Sequence, residues 1–173
     1  MVKMIHKDAL KKDQTTFGII NAKSIRNADS AEEKGYDAGK KVSGIKLHIV
    51  VDTLGLPHAL YVSRANTTDR DGAIEMISSC SEPFSNMKKI LVDGGYTGEK
   101  FSNQIKELCN AEIEVGKRNE LHQFKVLPKR WIVERSFAWL EKYRRLWKNC
   151  ERKLHTSLQM TVLAFISILI RRF

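Results

Sequence analysis

A single mixed α/β domain is what the sequence predicts, and three observations predict it. Short aliphatic and β-branched runs alternate with stretches of helical period, in the order strand, hairpin, helix, strand, helix, strand, helix, helix. The 173 residues, 42% hydrophobic, suffice for one core burying roughly two thirds of the unfolded surface. No internal repeat, low-complexity tract or linker divides the chain.

Residues 1–16 are polar and lysine-rich and are expected to be loosely ordered, with the domain occupying 17–173. Phe17 to Ile20 reads as a first strand ending at Asn21. Ala22 to Ser43 loses periodicity and gathers charge and glycine, the signature of a long surface loop, and Lys34, Lys40, Lys41 and Lys46 read as its lysines. Ile45 to Asp52 and His58 to Arg64 flank Thr53-Leu54-Gly55-Leu56-Pro57, which predicts a hairpin. Asp69 to Cys80 has helical spacing and an acidic start. Lys89 to Val92 is a strand stopped by Asp93-Gly94-Gly95, Thr97 to Cys109 a helix, and Ile113 to Val115 a short strand. After Pro128 the pattern predicts one long helix from Lys129 to Cys150, with Val133, Phe137, Leu140 and either Tyr143 or Trp147 facing inward. Leu158 to Ile170 is almost wholly apolar but short of the roughly 20 residues that cross a bilayer, so it reads as a buried C-terminal helix and no membrane is expected.

Thirty Lys and Arg against 20 Asp and Glu give a net charge of +10, which points to polyanionic partners. The excess is local: Lys117 to Lys153 holds twelve Lys or Arg and four acidic residues, interleaved with Trp131, Trp139, Tyr143 and Trp147. A solvated helix face and a nucleic-acid surface both suit that pattern. Cys80, Cys109 and Cys150 have no zinc-ligand spacing and read as reduced thiols of a cytoplasmic protein. The five histidines read as structural or surface residues.

Two carboxylates stand out. Asp93 closes an apolar strand before two glycines, at the edge where α/β folds bind ligands, although Asp-Gly-Gly also makes a turn in which the Asp accepts backbone hydrogen bonds. Glu134 lies four residues after Arg130, which on a helix makes a surface ion pair, yet Trp131, Val133, Phe137 and Trp139 around it imply a largely buried helix.

Taken in order, Gly35-Tyr36-Asp37-Ala38-Gly39-Lys40-Lys41-Val42, Val51-Asp52-Thr53-Leu54-Gly55, Ala65-Asn66-Thr67-Thr68-Asp69-Arg70, Val92-Asp93-Gly94-Gly95-Tyr96 and Pro128-Lys129-Arg130-Trp131-Ile132-Val133-Glu134-Arg135 resemble segments of DDE transposases from bacterial insertion sequences. The likeness is nearest to the type grouped with insertion sequence five, and it runs from about Phe17 to the C-terminus.

The resemblance implies a ribonuclease-H-like mixed sheet flanked by helices. It implies catalytic positions at Asn21, Asp93 and Glu134, with Arg130 as the arginine that precedes the glutamate and Asp93 and Glu134 as metal ligands. The implied activity is metal-dependent cleavage and transfer of DNA strands at insertion-sequence ends, with Mg²⁺ as the ion and Mn²⁺ as its alternative. The implied partner is double-stranded DNA carrying inverted repeats, contacted by Lys40, Lys41, Lys129, Arg130, Arg135, Arg144, Arg145 and Lys148 in the nucleoid-associated cytoplasm. A homo-oligomeric synaptic complex is part of the same expectation.

This sequence departs from the family pattern. Where relatives carry Asp-Ser-Gln-Ser it has Asn21-Ala22-Lys23-Ser24, so the first metal ligand is a neutral amide. Leu127 and Glu141 stand where a Tyr and a Lys are common, with Lys142 next door, and 16 residues precede Phe17 where relatives carry a DNA-binding region. Impaired catalysis is therefore expected, or a non-catalytic DNA-binding remnant. Asp52 or Asp69 substituting for the missing ligand is a third reading.

Overall fold

The computed structural model describes residues 15–80, 84–116 and 129–172, so the expectation of loose order over 1–16 lies almost wholly outside the described residues. Six strands form one sheet: β1 (Phe17–Arg26), β2 (Gly35–Asp37), β3 (Val42–Val51), β4 (Pro57–Arg64), β5 (Lys89–Val92) and β6 (Glu112–Val115). The helices are α1 (Asp69–Ser79), α2 (Glu99–Cys109), α3 (Arg130–Glu141), α4 (Arg144–Trp147) and α5 (Leu154–Arg172), with a 3₁₀ turn at Gly94–Tyr96.

β3 lies between β1 and β4, antiparallel to both, while β1, β5 and β6 run parallel in that order. β2 pairs with the start of β3. The antiparallel half follows from the hairpin: Asp52 Oδ1 accepts the Leu54 and Leu56 amides at 2.7 and 3.0 Å. Gly55 supplies the positive φ of 84° that the turn needs and that a side chain disfavours. Each parallel step requires a crossover, supplied by α1 and α2.

Successive strand residues face opposite ways, so the sheet builds two cores. On one face Ile19, Ile45, Leu47, Ile49, Val51 and Leu91 pack against α3 and α5. On the other, Ile20, Val50, Ile90 and Val92 pack against α1 and α2 through Met76, Ile77, Phe101 and Ile105.

Four expectations are corrected. β1 runs on to Arg26 through polar residues, because Ile19 to Arg26 pair in register with Val51 to Gly44; the segment 22–43 is therefore strand at both ends and carries β2 between. The long helix from Lys129 to Cys150 breaks into α3 and α4. The break lets buried Asn149 reach Asn27, donating from Nδ2 to its Oδ1 at 2.9 Å while the two backbones bridge. Of the two residues offered for the end of the inward stripe, Tyr143 packs against the core and Trp147 faces solvent, 75% exposed. The C-terminal helix buries Ala164, Phe165, Ile168 and Leu169 but leaves Leu163, Ile166 and Ile170 exposed, so it is covered on one side only.

Lys46 is a core residue, not a loop lysine. Its ammonium lies 2.8 Å from Asp69, 3.3 Å from Asp37 and 2.7 Å from the Thr67 carbonyl to which it donates. Burial pushes the Asp37 carboxyl up, but hydrogen bonds from Ser24, the Lys40 amide and Lys46 outweigh it and bring the pKa down to about 2. Beside Lys46, His48 is wholly buried with Nε2 2.9 Å from Ser63 Oγ, and a Cβ on Gly72 would come within 2.0 Å of its ring. Burial, opposed by Asp69 and assisted by Lys46 and Lys40, lowers the His48 pKa to about 4.

Candidate active site on the α3 face of the sheet

Asn21 lies inside β1, two residues beyond Ile19, whose parallel pairing with Leu91 is the last between β1 and β5, and Asp93 follows one residue after the end of β5. Two residues is one full strand period, so Asn21 and Asp93 share the face of Ile19 and Leu91, the face covered by α3. Asp93 sits where β5 has ended and the parallel sheet opens.

Glu134 rides on α3, which covers that face, but it lies outside the helix's inward side of Ile132, Val133, Ser136, Phe137, Trp139 and Leu140 and is exposed. The lysine that caps this helix, Lys129, places its ammonium 4.5 Å from the Phe17 ring centroid, and Glu141 at the other end pairs with Lys23. Those two contacts align the helix with β1: twelve helical residues rise about 18 Å and six strand residues about 20 Å. Glu134 and Asn21 fall between them, and Glu134, two turns before Glu141, shares its side of the helix.

Each of the three groups has a local partner. The Asn21 Oδ1 accepts the Ala22 amide at 2.8 Å, and Asp93 Oδ1 accepts the Gly95 amide at 2.9 Å, capping the 3₁₀ turn. Glu134 pairs with Arg130 at 3.3 Å across one helical turn, with its side chain 51% exposed. The turn role of Asp93 and the surface-pair role of Glu134 are thus both present in the structure.

A two-ion phosphoryl-transfer centre needs hard oxygen donors carrying several negative charges. The donors here are two carboxylates and an amide, and the amide oxygen is already turned to its own backbone. Among the described residues no group of three or more His, Cys, Asp and Glu is arranged to hold a metal ion. As it stands, the set does not fit a two-ion centre and falls one carboxylate short of it. Asp52 and Asp69 do not make up the difference: Asp52 is buried in the hairpin turn with His58 at 3.2 Å, and Asp69 is tied to Lys46.

The expected DNA-contacting residues divide by environment. Lys41, Lys129, Arg144 and Lys148 are exposed. Lys40 is exposed too, but its ammonium lies 3.7 Å from Asp69 and donates to the Ala22 carbonyl beside Asn21 at 3.3 Å. Arg145 pairs with Glu151 at 2.7 Å, and Arg130 with Glu134. Arg135 serves the fold: it donates to the Leu54 carbonyl at 2.8 Å and lies between the rings of Trp131 and Trp139, at 4.6 and 5.1 Å. Sequence reading missed Lys23, whose pairing with Glu141 is visible only once β1 and α3 are packed together.

The arrangement corresponds to known proteins. The family model described as Transposase DDE domain matches residues 12–169. A putative transposase for insertion sequence element IS402 from Burkholderia cepacia is 30% identical over 117 residues, 64% of this chain and 55% of that protein. The chain therefore spans about half the length of the curated relative it matches. Among solved structures, the catalytic core domain of BIV integrase superposes with a TM-score of 0.54 at 12% identity, over 88% of this chain and 82% of that one. A chain of the simian T-cell lymphotropic virus intasome in complex with PP2A regulatory subunit B56 gamma gives 0.57 at 14% identity, over 86% and 47%. The sheet order, two parallel steps after an antiparallel hairpin, is that of the ribonuclease-H-like fold these neighbours share. With the family model matched along most of its length, the chain belongs to the DDE-class insertion-sequence transposases and forms their catalytic-type domain.

Proposed function

We propose that this chain binds double-stranded DNA as a transposase domain and is impaired in cleaving and transferring strands at insertion-sequence ends, because Asn21 occupies the place of the first carboxylate. One observation supports the reading: Asn21 follows Ile19 by one strand period on the sheet face that α3, the helix of Glu134, covers, and it brings a neutral amide where the family pattern has a carboxylate. The family works with divalent metal ions. Holding two of them, Mg²⁺ or Mn²⁺, around a phosphate requires ligands that bring negative charge, and an amide brings none.

The chain's own residues have separate parts in this reading. Arg130 orients the Glu134 carboxylate. Lys40 steadies β1 through the Ala22 carbonyl, directly behind Asn21. The exposed Lys41, Lys129, Arg144 and Lys148 neutralise backbone phosphates, which fixes the DNA on the surface without reading its sequence.

A second reading, a DNA-binding remnant with no strand chemistry at all, is favoured by the same amide, and one experiment separates the two. Nicking of a duplex carrying the inverted repeat is compared between the natural chain and Asn21→Asp in Mg²⁺ and Mn²⁺, with Asp93→Ala in the Asn21→Asp background as control. Impairment at this position predicts at least a tenfold rise in Asn21→Asp and its loss in the control. Measurable and equal activity of the natural chain and Asn21→Asp would sink the impaired-site reading, whereas activity in neither would support the remnant.

A further inference from the structure

The strand edge beside Asn21 is open. Asn27 donates its backbone amide to the carbonyl of its pairing partner Ser43 at 3.1 Å. Antiparallel pairing alternates along a strand, so the odd residues of β1 bond to β3, and Ala22 turns its amide and carbonyl the other way. On that side runs β5, but its pairing with β1 stops at Ile19 and Leu91. Both backbone groups of Ala22 therefore face a gap in the sheet, and side chains take the place of the missing strand. Asn21 Oδ1 accepts the amide at 2.8 Å, and the Lys40 ammonium donates to the carbonyl at 3.3 Å.

That arrangement decides which end of the Asn21 amide can meet a ligand. With Oδ1 engaged, Nδ2 keeps two N–H donors and has no acceptor among the described residues. A carboxylate in this place would offer a cation negative oxygen; the amide offers an anion two hydrogens. Lys40 stands ready beside it. Its side chain is 45% exposed, and its second partner, Asp69, is 3.7 Å away and held more closely by Lys46, at 2.8 Å.

The charges around Asn21 agree. Glu134 is paired with Arg130 and Glu141 with Lys23, so Asp93 is the one carboxylate of the three without an ion pair among the described residues, and Lys40 offsets it. Two divalent ions need several uncompensated negative charges. A phosphodiester, itself an anion, needs hydrogen-bond donors and a cation.

We propose that the candidate site takes a DNA phosphate directly, with Asn21 Nδ2 and the Lys40 ammonium as its donors, and does so without a divalent ion. The proposal rests on the DNA-binding reading above and deepens it: the amide in place of the first carboxylate exchanges a contact made through metal for one made by the chain itself.

The test is fluorescence anisotropy of a labelled duplex at matched ionic strength, in EDTA and in MgCl₂ or MnCl₂. The natural chain is expected to bind no more tightly with either ion than in EDTA. Asn21→Asp sets a negative charge against the phosphate and is expected to bind about tenfold more weakly in EDTA, equivalent to about 1.4 kcal/mol, with the ions restoring the loss. A misfolded variant would not be restored by a metal. Asn21→Ala and Lys40→Gln remove a donor without adding a negative charge, and each is expected to lose about threefold in every buffer. A rise of more than about threefold in the natural chain's affinity with Mg²⁺ or Mn²⁺ overturns the proposal. So does any of the three variants binding in EDTA as tightly as the natural chain, or a loss in Asn21→Asp that the ions leave in place. Absence of salt-dependent binding by the natural chain overturns instead the DNA-binding reading on which it rests.

Discussion

The two faces of the sheet use charge in opposite ways. On the α1 face, Lys46 is buried with Asp37 and Asp69, and its partners come from positions 9 and 23 residues away in the chain. On the α3 face, Asn21, Asp93 and Glu134 stay partly open and are satisfied by neighbours one, two and four residues away. The first arrangement holds the chain together, since a buried charge must be compensated wherever the fold can bring a partner. The second leaves its groups able to exchange local partners for a ligand at little cost, which is what a site requires.

The sharpest way to break this contrast is Lys46→Met, which keeps the apolar stem and strands two carboxylates. A loss of about 3–5 kcal/mol of folding stability is expected for an uncompensated buried charge. Denaturant midpoints would register it, and a change below about 1 kcal/mol would mean the triad is not the clamp described.

Next in size is a pH effect from the same face. His48 titrates near 4 in the folded chain and at its ordinary 6.5 when unfolded, so between those values the unfolded state binds the extra proton. Stability should therefore be full above about pH 6.5 and fall by roughly 3 kcal/mol as pH drops toward 4. Comparing unfolding curves of the natural chain with those of His48→Gln isolates the effect, because the variant lacks this slope; identical slopes would contradict the neutral buried imidazole.

The smallest effect belongs to the other face. Glu134→Gln removes one side of a half-exposed pair one helical turn apart and should shift stability by no more than about 0.5 kcal/mol. Thermal unfolding checks it, and a loss several times larger would make Glu134 a structural residue.

Much of the fold was legible because periodicity records which face of an element is buried. β3, β4, β5 and the inward Val133, Phe137 and Leu140 of α3 follow their patterns closely. Asp93 and Glu134 were nominated through motifs whose residues are adjacent in the chain. Lys23, Ser24 and Arg26 looked like loop because their alternation is polar; what makes them strand is pairing with Leu47, Lys46 and Gly44 of β3. Lys46 looked like a surface lysine because nothing local marks the two aspartates that surround it.

The sequence by itself determined the class of fold and the family, and it nominated the candidate site groups, because hydrophobic period and collinear motifs are properties of neighbouring residues. It also determined the missing charge at Asn21. Only the tertiary structure decided that β1 continues to Arg26, that Lys46 and His48 are core, and that the helix breaks after Glu141 to expose Trp147. Those outcomes depend on partners brought from far along the chain, Asn149 to Asn27 and Asp69 to Lys46, whose energies exist only once the sheet has closed around them.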